Sequence, residues 1–456
     1  MTPLATNSTS PRVNLKMRYI ANTGADRRAM LTAIGLSSLE ELFNDIPQEV
    51  KDRFQPLELT VRSEMEVAQV LKELVILNSC QQSSISFLGG GVYDHYIPSV
   101  VSHITSRSEF YTAYTPYQPE LSQGTLTTMF EFQTLICELT GMEVANASIY
   151  DGASALAEGV LMAKRIVGKG RVAAAQSLFP HYRRVLDTYC WAAGIEVIEI
   201  PYTNAGACDL TALPQDLSSL VVQIPNAFGV IEELKGVKER LADALLIVVT
   251  NPISLGILAP PGQFGADIVI GEGQPLGIPA SFGGPFLGLF ATRERYLRQM
   301  PGRLTAQTVD TEGKIGYTMA IQTREQHIRR ERATSNICTN SQLCALAATV
   351  YLASLGADGL HELATLNLEK AHYLAQRITA LPGYRLAFEA PFFNEFAVRV
   401  PTDPQAIRAR LKEERILLDD PRFLSALGAP NTLRFAVTEK RTKDELDRLV
   451  ELLEVI

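Results

Sequence analysis

The stretch FLGGGVYDHYIP, Phe87 to Pro98, sets three glycines before Tyr93, Asp94, His95 and Tyr96. Glycines admit a close ligand or a positive φ. Tyrosine and histidine beside them can stack on a flat ring or donate hydrogen bonds. A Gly-rich turn with packed aromatics explains the same pattern equally well. The stretch YTAYTPYQPE, Tyr111 to Glu120, cannot form a regular helix because Pro116 and Pro119 interrupt it. A rigid, aromatic, polar loop suits a binding surface, with Tyr114, Thr115, Tyr117, Gln118 and Glu120 as candidates. Taken alone, the segment is more simply a structural crossover. In ASIYDGASALAEG, Gly152 and Ser154 fall where helix N–H groups could meet a phosphate. Asp151 speaks against this, because a carboxylate already complements the helix dipole there and repels a phosphate; a helix cap is the better reading. QTREQHIRRERATSNICTN interleaves Arg324, His327, Arg329, Arg330 and Arg332 with Glu325 and Glu331. Arg324 and His327 could form an anion site through bidentate contacts, although charge runs are usually solvated faces.

These residues need elements to position them. Thr23 with Asp26 and Ser38 with Glu41 have capping-box spacing; Pro47 should end a second short helix, and residues 61–82 read as an amphipathic helix. From about residue 140, strands and helices alternate. RVAAAQ, IEVIEIPY, LSSLVVQIP, LLIVVTNP, ADIVIGEG and PFLGLFAT read as strands. DGASALAEGVLMAKRIV, HYRRVLDTYCWAA and GVIEELKGVKERLA read as helices. Continuous apolar strands between helices imply a mostly parallel sheet covered on both faces, with ligands beyond the strands' carboxyl ends. One such end is VVTNPISLG, where Asn251 precedes a proline, a good turn signal. Another is GEGQPLGIPASFGGPF, Gly271 to Phe286, which holds no lysine. A long helical region over 340–380, strands at NEFAVRV and TLRFAVTE, and a last helix capped by Thr442 and Glu445 complete a smaller α/β domain. The expected divisions are a disordered leader (1–16), a helical segment (17–85), a large α/β domain (86–330) and a small one (331–456). Met17 opens MRYIANTGAD, which reads as a natural beginning.

The 456 residues carry a net charge of −8, which argues against nucleic acid or an anionic membrane as main partner. No apolar run approaches the ~20 residues of a membrane helix. The six cysteines form no CxxC pair and the six histidines are scattered, so reduced thiols, a cytoplasmic setting and no metal site are expected. No nucleophile elbow, phosphate-binding P-loop or dinucleotide fingerprint is present.

MRYIANTGADRRAML, SLEELFNDIP, FLGGGVYDHYIP, TAYTPYQPELSQGTL, MPGR, TREQHIRRERATSNICTN and VTEKRTKDELDRLVELL together make the chain resemble the P-protein of the glycine cleavage system. More narrowly, it resembles the alpha chain of the split, two-subunit form. The resemblance implies the fold type I architecture of pyridoxal phosphate (PLP) enzymes: an α/β large domain on a mostly parallel sheet plus a smaller C-terminal α/β domain. It implies PLP on the partner beta chain and no covalently held cofactor here. Gln274 falls at the place of the PLP lysine, Asn251 near the pyridinium-binding carboxylate and His181 near the ring-stacking histidine. The implied partners are the beta chain, in an alpha2beta2 assembly, and the lipoyl arm of H-protein, with glycine as substrate. Tyr93, His95, Tyr114, Thr115, Tyr117, Gln118 and Glu120 become the candidates for supporting catalytic roles across the subunit interface. Arg415 to Pro430 departs from the family pattern. Two rival readings are a stand-alone PLP enzyme whose lysine lies elsewhere, Lys314 being the nearest downstream, and a non-catalytic scaffold.

Overall fold

The computed structural model describes residues 21–55, 57, 59–79 and 84–456; the leader expected over 1–16 lies outside them. The chain divides at Cys80 into two units. In the first, α1 (Gly24–Ala33) opens with the expected capping box between Thr23 and Asp26, and α2 spans Glu64–Ser79. Glu41 reaches back to the Ser37 N–H at 3.1 Å. Pro47 stands before the helix Gln48–Arg53 and so begins a helix rather than ending one, since a missing N–H is harmless at a helix start.

The second unit is built on a seven-stranded sheet. Its strands are β1 (Val144–Ala145), β2 (Arg171–Ala175), β3 (Glu196–Ile200), β4 (Ser219–Ile224), β5 (Leu245–Thr250), β6 (Ile268–Glu272) and β7 (Gly288–Thr292). They lie in the order β1-β7-β6-β5-β4-β2-β3, parallel from β6 through β3, with β7 antiparallel to both its neighbours. Every residue of β4, β5, β6 and β7 is buried, because the sheet is covered on both faces and no polar side is needed. The edge strand β3 instead exposes Glu196 and Glu199, charges that discourage edge-to-edge pairing.

The helices follow the same logic. α3 (Gln123–Thr140), α4 (Gly152–Val167) and α5 (Pro180–Ala193) each end on a left-handed glycine. A Cβ on Gly159 of α4 would lie 2.8 Å from Ile270 Cδ1, so a small residue lets the helix settle onto β6. The helix expected at 229–242 does not form. Only Lys238–Arg240 makes a helical turn there. Gly229 has φ +86°, and a Cβ on it would meet the Glu395 carbonyl oxygen at 1.9 Å, so the segment is pinned against β-structure before a helix can start.

A hairpin of β8 (Leu304–Val309) and β9 (Ile315–Ala320) follows. α6 (Gln342–Thr379) is long and apolar enough, by length and composition alone, to cross a membrane, but Gly356 breaks it at φ 64°, ψ −173° and it buries Ala345, Leu346, Leu360 and Leu374 in the core. The last layer is an antiparallel sheet of β10 (Arg385–Leu386), β11 (Glu395–Arg399) and β12 (Thr432–Ala436). α7 (Pro404–Glu413) and α8 (Lys443–Val455) cover it around Phe396, Phe435, Leu411 and Leu449.

Candidate functional site

The carboxyl ends of β4, β5 and β6 and the amino end of α4 meet at one hollow, walled by Gly91, Tyr93, Phe179, Tyr182, Asn251 and Glu272. Its volume is ≈ 20 Å³, room for about one water molecule. The amino end of α4 is filled by the protein's own carboxyls. Asp151 accepts from the Ser154 N–H at 2.8 Å and the Ser154 hydroxyl at 3.0 Å. Glu272, arriving from β6, accepts from the Gly152 N–H at 2.9 Å, and its other oxygen accepts from the N–H groups of Gln274 and Leu287, both at 3.0 Å. Burial pushes the Glu272 carboxyl up to about 8, although those three donors pull it down. The Tyr182 hydroxyl closes the remaining space, so tightly that a Cβ on Gly152 would lie 2.1 Å from it.

Gln274 has no free group. Its amide donates to the carbonyls of Tyr93 at 3.0 Å and Ile278 at 2.7 Å, and its oxygen accepts from the Tyr93 N–H at 2.9 Å. Asn251 caps its own turn by accepting from the Ile253 N–H at 3.0 Å. The His181 ring stacks on Phe179, 5.5 Å between centroids at 16°. Burial, with Arg434 and Arg184 nearby, pushes its pKa down to about 4, so the ring is neutral. PLP does not fit this hollow. The hollow has room for about one water, no lysine is among the residues that line it, and two carboxyls occupy the helix end a phosphate would use. Lys314 offers no substitute: it sits exposed in the turn of the β8–β9 hairpin, paired with Glu312 at 2.6 Å.

The 87–98 loop is tied into the interior. The Gly90 N–H donates to Glu395 Oε1 at 2.6 Å and the Tyr93 hydroxyl to Glu395 Oε2 at 2.9 Å. Buried Arg434 donates twice to Asp419 Oδ2, at 2.7 and 2.9 Å, stands 3.6 Å from Glu395 and lies over the Phe423 ring. Burial raises the Glu395 carboxyl and, with Glu395 beside it, the Tyr93 phenol. His95 Nδ1 lies 2.8 Å from Glu439, and Asp94 pairs with Lys440 and Arg441. Tyr93 and His95, 4% and 6% exposed, are thus interior ties of this loop, to Glu395 and to Glu439, not surface groups. Sequence alone could not separate the two uses, since a Gly-Tyr-His cluster serves either.

The 111–120 loop differs. Tyr111, Tyr114 and Tyr117 are exposed, Tyr114 by 77%; Gln118 and Glu120 are exposed and Thr115 half-buried. Tyr117 stands 5.9 Å edge-on to His327 and 5.9 Å from the Arg303 guanidinium. With Glu325, Gln326, Arg330 and Cys338 it lines an open cleft of ≈ 460 Å³. Arg324, expected to bind an anion, is instead buried and donates to the carbonyls of Met300, Gly302 and Ile321. Glu325, which sequence reading did not single out, lines the cleft instead, and buried Arg303 stands behind it, 3.8 Å away. Arg303 lay in the MPGR landmark and Glu325 beside Arg324, but nothing in the spacing links them. Among the described residues no cluster of His, Cys, Asp and Glu could hold a metal ion.

The strand order, with β7 reversed at the end of a parallel sheet, and the hollow at the strand ends define the fold of type I PLP enzymes. Two solved structures share that fold at low identity: a sphingosine-1-phosphate lyase of Burkholderia pseudomallei (14% identity, TM-score 0.64, 90% and 93% of the two chains) and a cysteine desulfurase of Thermococcus onnurineus (16%, TM-score 0.61, 87% and 98%). Residues 17–453 match the Glycine cleavage system P-protein family, and the chain belongs to it. It is 49% identical to the probable glycine dehydrogenase (decarboxylating) subunit 1 of Desulfitobacterium hafniense, over 95% of this chain and 98% of that one. It is 50% identical to the protein so named in Carboxydothermus hydrogenoformans, over 96% and 99%. A crystal structure of glycine decarboxylase (P-protein) in inhibitor-bound form matches at TM-score 0.83 and 43% identity, over 96% and 99%.

Proposed function

We propose that this chain is the subunit of glycine dehydrogenase (decarboxylating) that holds no PLP, and that it acts with a second, PLP-carrying subunit in the glycine cleavage system. The observation that carries this reading is Gln274. An amide hydrogen-bonded at both ends to backbone, beside an α4 amino end filled by Asp151 and Glu272, cannot be a Schiff-base site. In this reading PLP on the partner supplies the electron sink for glycine decarboxylation, and the lipoyl arm of H-protein receives the aminomethyl group. The assembly is alpha2beta2 and cytoplasmic. This chain's contribution comes from its exposed polar surface. Tyr114, Tyr117, Gln118 and Glu120 stand on the loop that would face a shared site, where their hydroxyl, amide and carboxyl groups can orient substrate and exclude water. Thr115 sits between them with a buried hydroxyl that has no hydrogen-bond partner. Tyr93 and His95 act one step back, by fixing the 87–98 loop.

The test is borohydride reduction in the presence of PLP, with this chain alone and mixed with subunit 2, followed by peptide mapping. The expected result is label on the partner only, with glycine decarboxylation in the mixture only. Stoichiometric label on a lysine of this chain would overturn the reading.

A further inference from the structure

The segment 21–79 forms helices without a core of its own. α1 has 10 residues, the helix Gln48–Arg53 six and α2 16, lengths at which a helix alone in water is marginal and depends on packing. None of the segment's described residues is buried. Seventeen of its large apolar side chains, from Met30 to Ile76, are 38–83% exposed. An exposed side chain of that size carries on the order of 100 Å², so together they present about twice the ≈ 800 Å² that one side of a standard interface buries. The apolar groups also point more than one way. On α2, Val67, Leu71 and Val75 follow one another at i, i+4 spacing along one face, whereas Met65 and Ile76, about three turns apart, fall on the opposite face. Before α2, Leu57, Leu59 and Val61 recur at every second residue, the spacing that sets side chains on one side of an extended segment. They are 79–83% exposed and belong to no helix or strand. A helix apolar on opposite faces is satisfied between two surfaces, so packing on a single body leaves one face bare.

We infer that the segment 21–79 is a docking arm and that subunit 2 is what covers it. The inference rests on the functional reading above, which gives the chain one permanent partner; permanent interfaces are the large and apolar ones. The family match opens at residue 17 and takes in the whole arm, so the arm belongs to the part of the chain that matches the family. None of the candidates for supporting catalysis lies on it. The arm supplies affinity for the partner, and the tyrosine loop supplies polar groups to the shared site.

The experiment is hydrogen exchange read by mass spectrometry on the full chain, alone and mixed with subunit 2, with sedimentation of both samples. Peptides from 21–79 exchange fast in the chain alone and at least about 100-fold more slowly in the mixture. Leu71→Glu keeps helix propensity at an exposed position and puts a charge into the contact, so it weakens binding of subunit 2 at least about tenfold. The denaturation midpoint of the variant stays that of the unaltered chain. Leu59→Glu has the same effect on binding from outside the helices. Three results would each overturn the docking. Slow exchange of 21–79 in a chain that sediments alone as a monomer assigns the cover to the chain's own second unit. Slow exchange in a chain that sediments alone as a dimer assigns it to a second copy. A complex with subunit 2 that leaves 21–79 unprotected, and that Leu71→Glu does not weaken, assigns the contact to other surfaces; the subunit reading then still stands. No complex at all overturns both the docking and the reading it rests on.

Discussion

The hollow at the strand ends and the cleft beside Tyr117 differ in the space they leave, ≈ 20 Å³ against ≈ 460 Å³. Around the hollow the Gly152 N–H, the Ser154 N–H and the Gln274 amide have partners within the chain, while the amide nitrogen of Asn251 on its wall has none. Beside the cleft, Glu325 lies on the wall and Arg303 behind it, each with one buried atom that has no partner. The chain's own side chains thus close most of the hollow, and the open space lies beside the tyrosine loop.

The contrast can be tested by perturbing each side. The largest effect expected is the pH dependence that Glu272 gives to stability. Its folded-state pKa of about 8 lies above the ordinary 4.5, so the folded chain keeps a proton that the unfolded chain releases. Its contribution is intact below about pH 4.5 and is lost as pH rises to about 8, on the order of 3–5 kcal/mol over the window. Chemical denaturation at a series of pH values should show Glu272→Gln with a flatter profile than the unaltered chain across that window. Parallel profiles would mean that the carboxyl is ionised in the fold and that its three donors outweigh its burial.

Gly152→Ala comes next. A Cβ 2.1 Å from the Tyr182 oxygen and 2.9 Å from its ring forces a shift that lowers stability by about 1–3 kcal/mol. Tyr182→Phe in the same chain should restore part of it, because the nearer of the two atoms is gone; no recovery would place the strain elsewhere. Tyr93→Phe removes one hydrogen bond to buried Glu395 and is expected to cost about 1–3 kcal/mol in thermal or denaturant unfolding. An unchanged midpoint would contradict its assignment as an interior tie. Tyr114→Phe should leave stability within about 0.5 kcal/mol, since the side chain is 77% exposed, yet lower glycine decarboxylation with the partner present. Unaltered turnover would remove Tyr114 from the shared site.

The sequence made the strands legible because β4 to β7 are buried on both faces and write themselves as apolar runs. Their lateral order was not legible, since parallel neighbours are joined by long crossovers that leave no local trace. That Gly271 to Phe286 holds no lysine could be read directly, and Asp151 already argued against a phosphate. Glu272 and Tyr182 could not be foreseen as the plug, because each becomes meaningful only when β6 and α5 are brought against the start of α4. The helix expected at 229–242 failed for a related reason: its apolar spacing was genuine, and Gly229's contact with Glu395 overrode it. Tyr93 and Tyr117 had equal standing as sequence candidates, and burial alone sends one inward and leaves the other on the surface. Arg303 and Glu325 lie 22 residues apart in the chain and had no spacing to betray them.

The hydrogen bonds of Gln274 also bear on how such a chain can change. Its amide joins the turn after β6 to a backbone segment 181 positions earlier in the chain, accepting at one end and donating at the other. A lysine at this position could donate but could not accept, so the Tyr93 N–H would be left buried and alone.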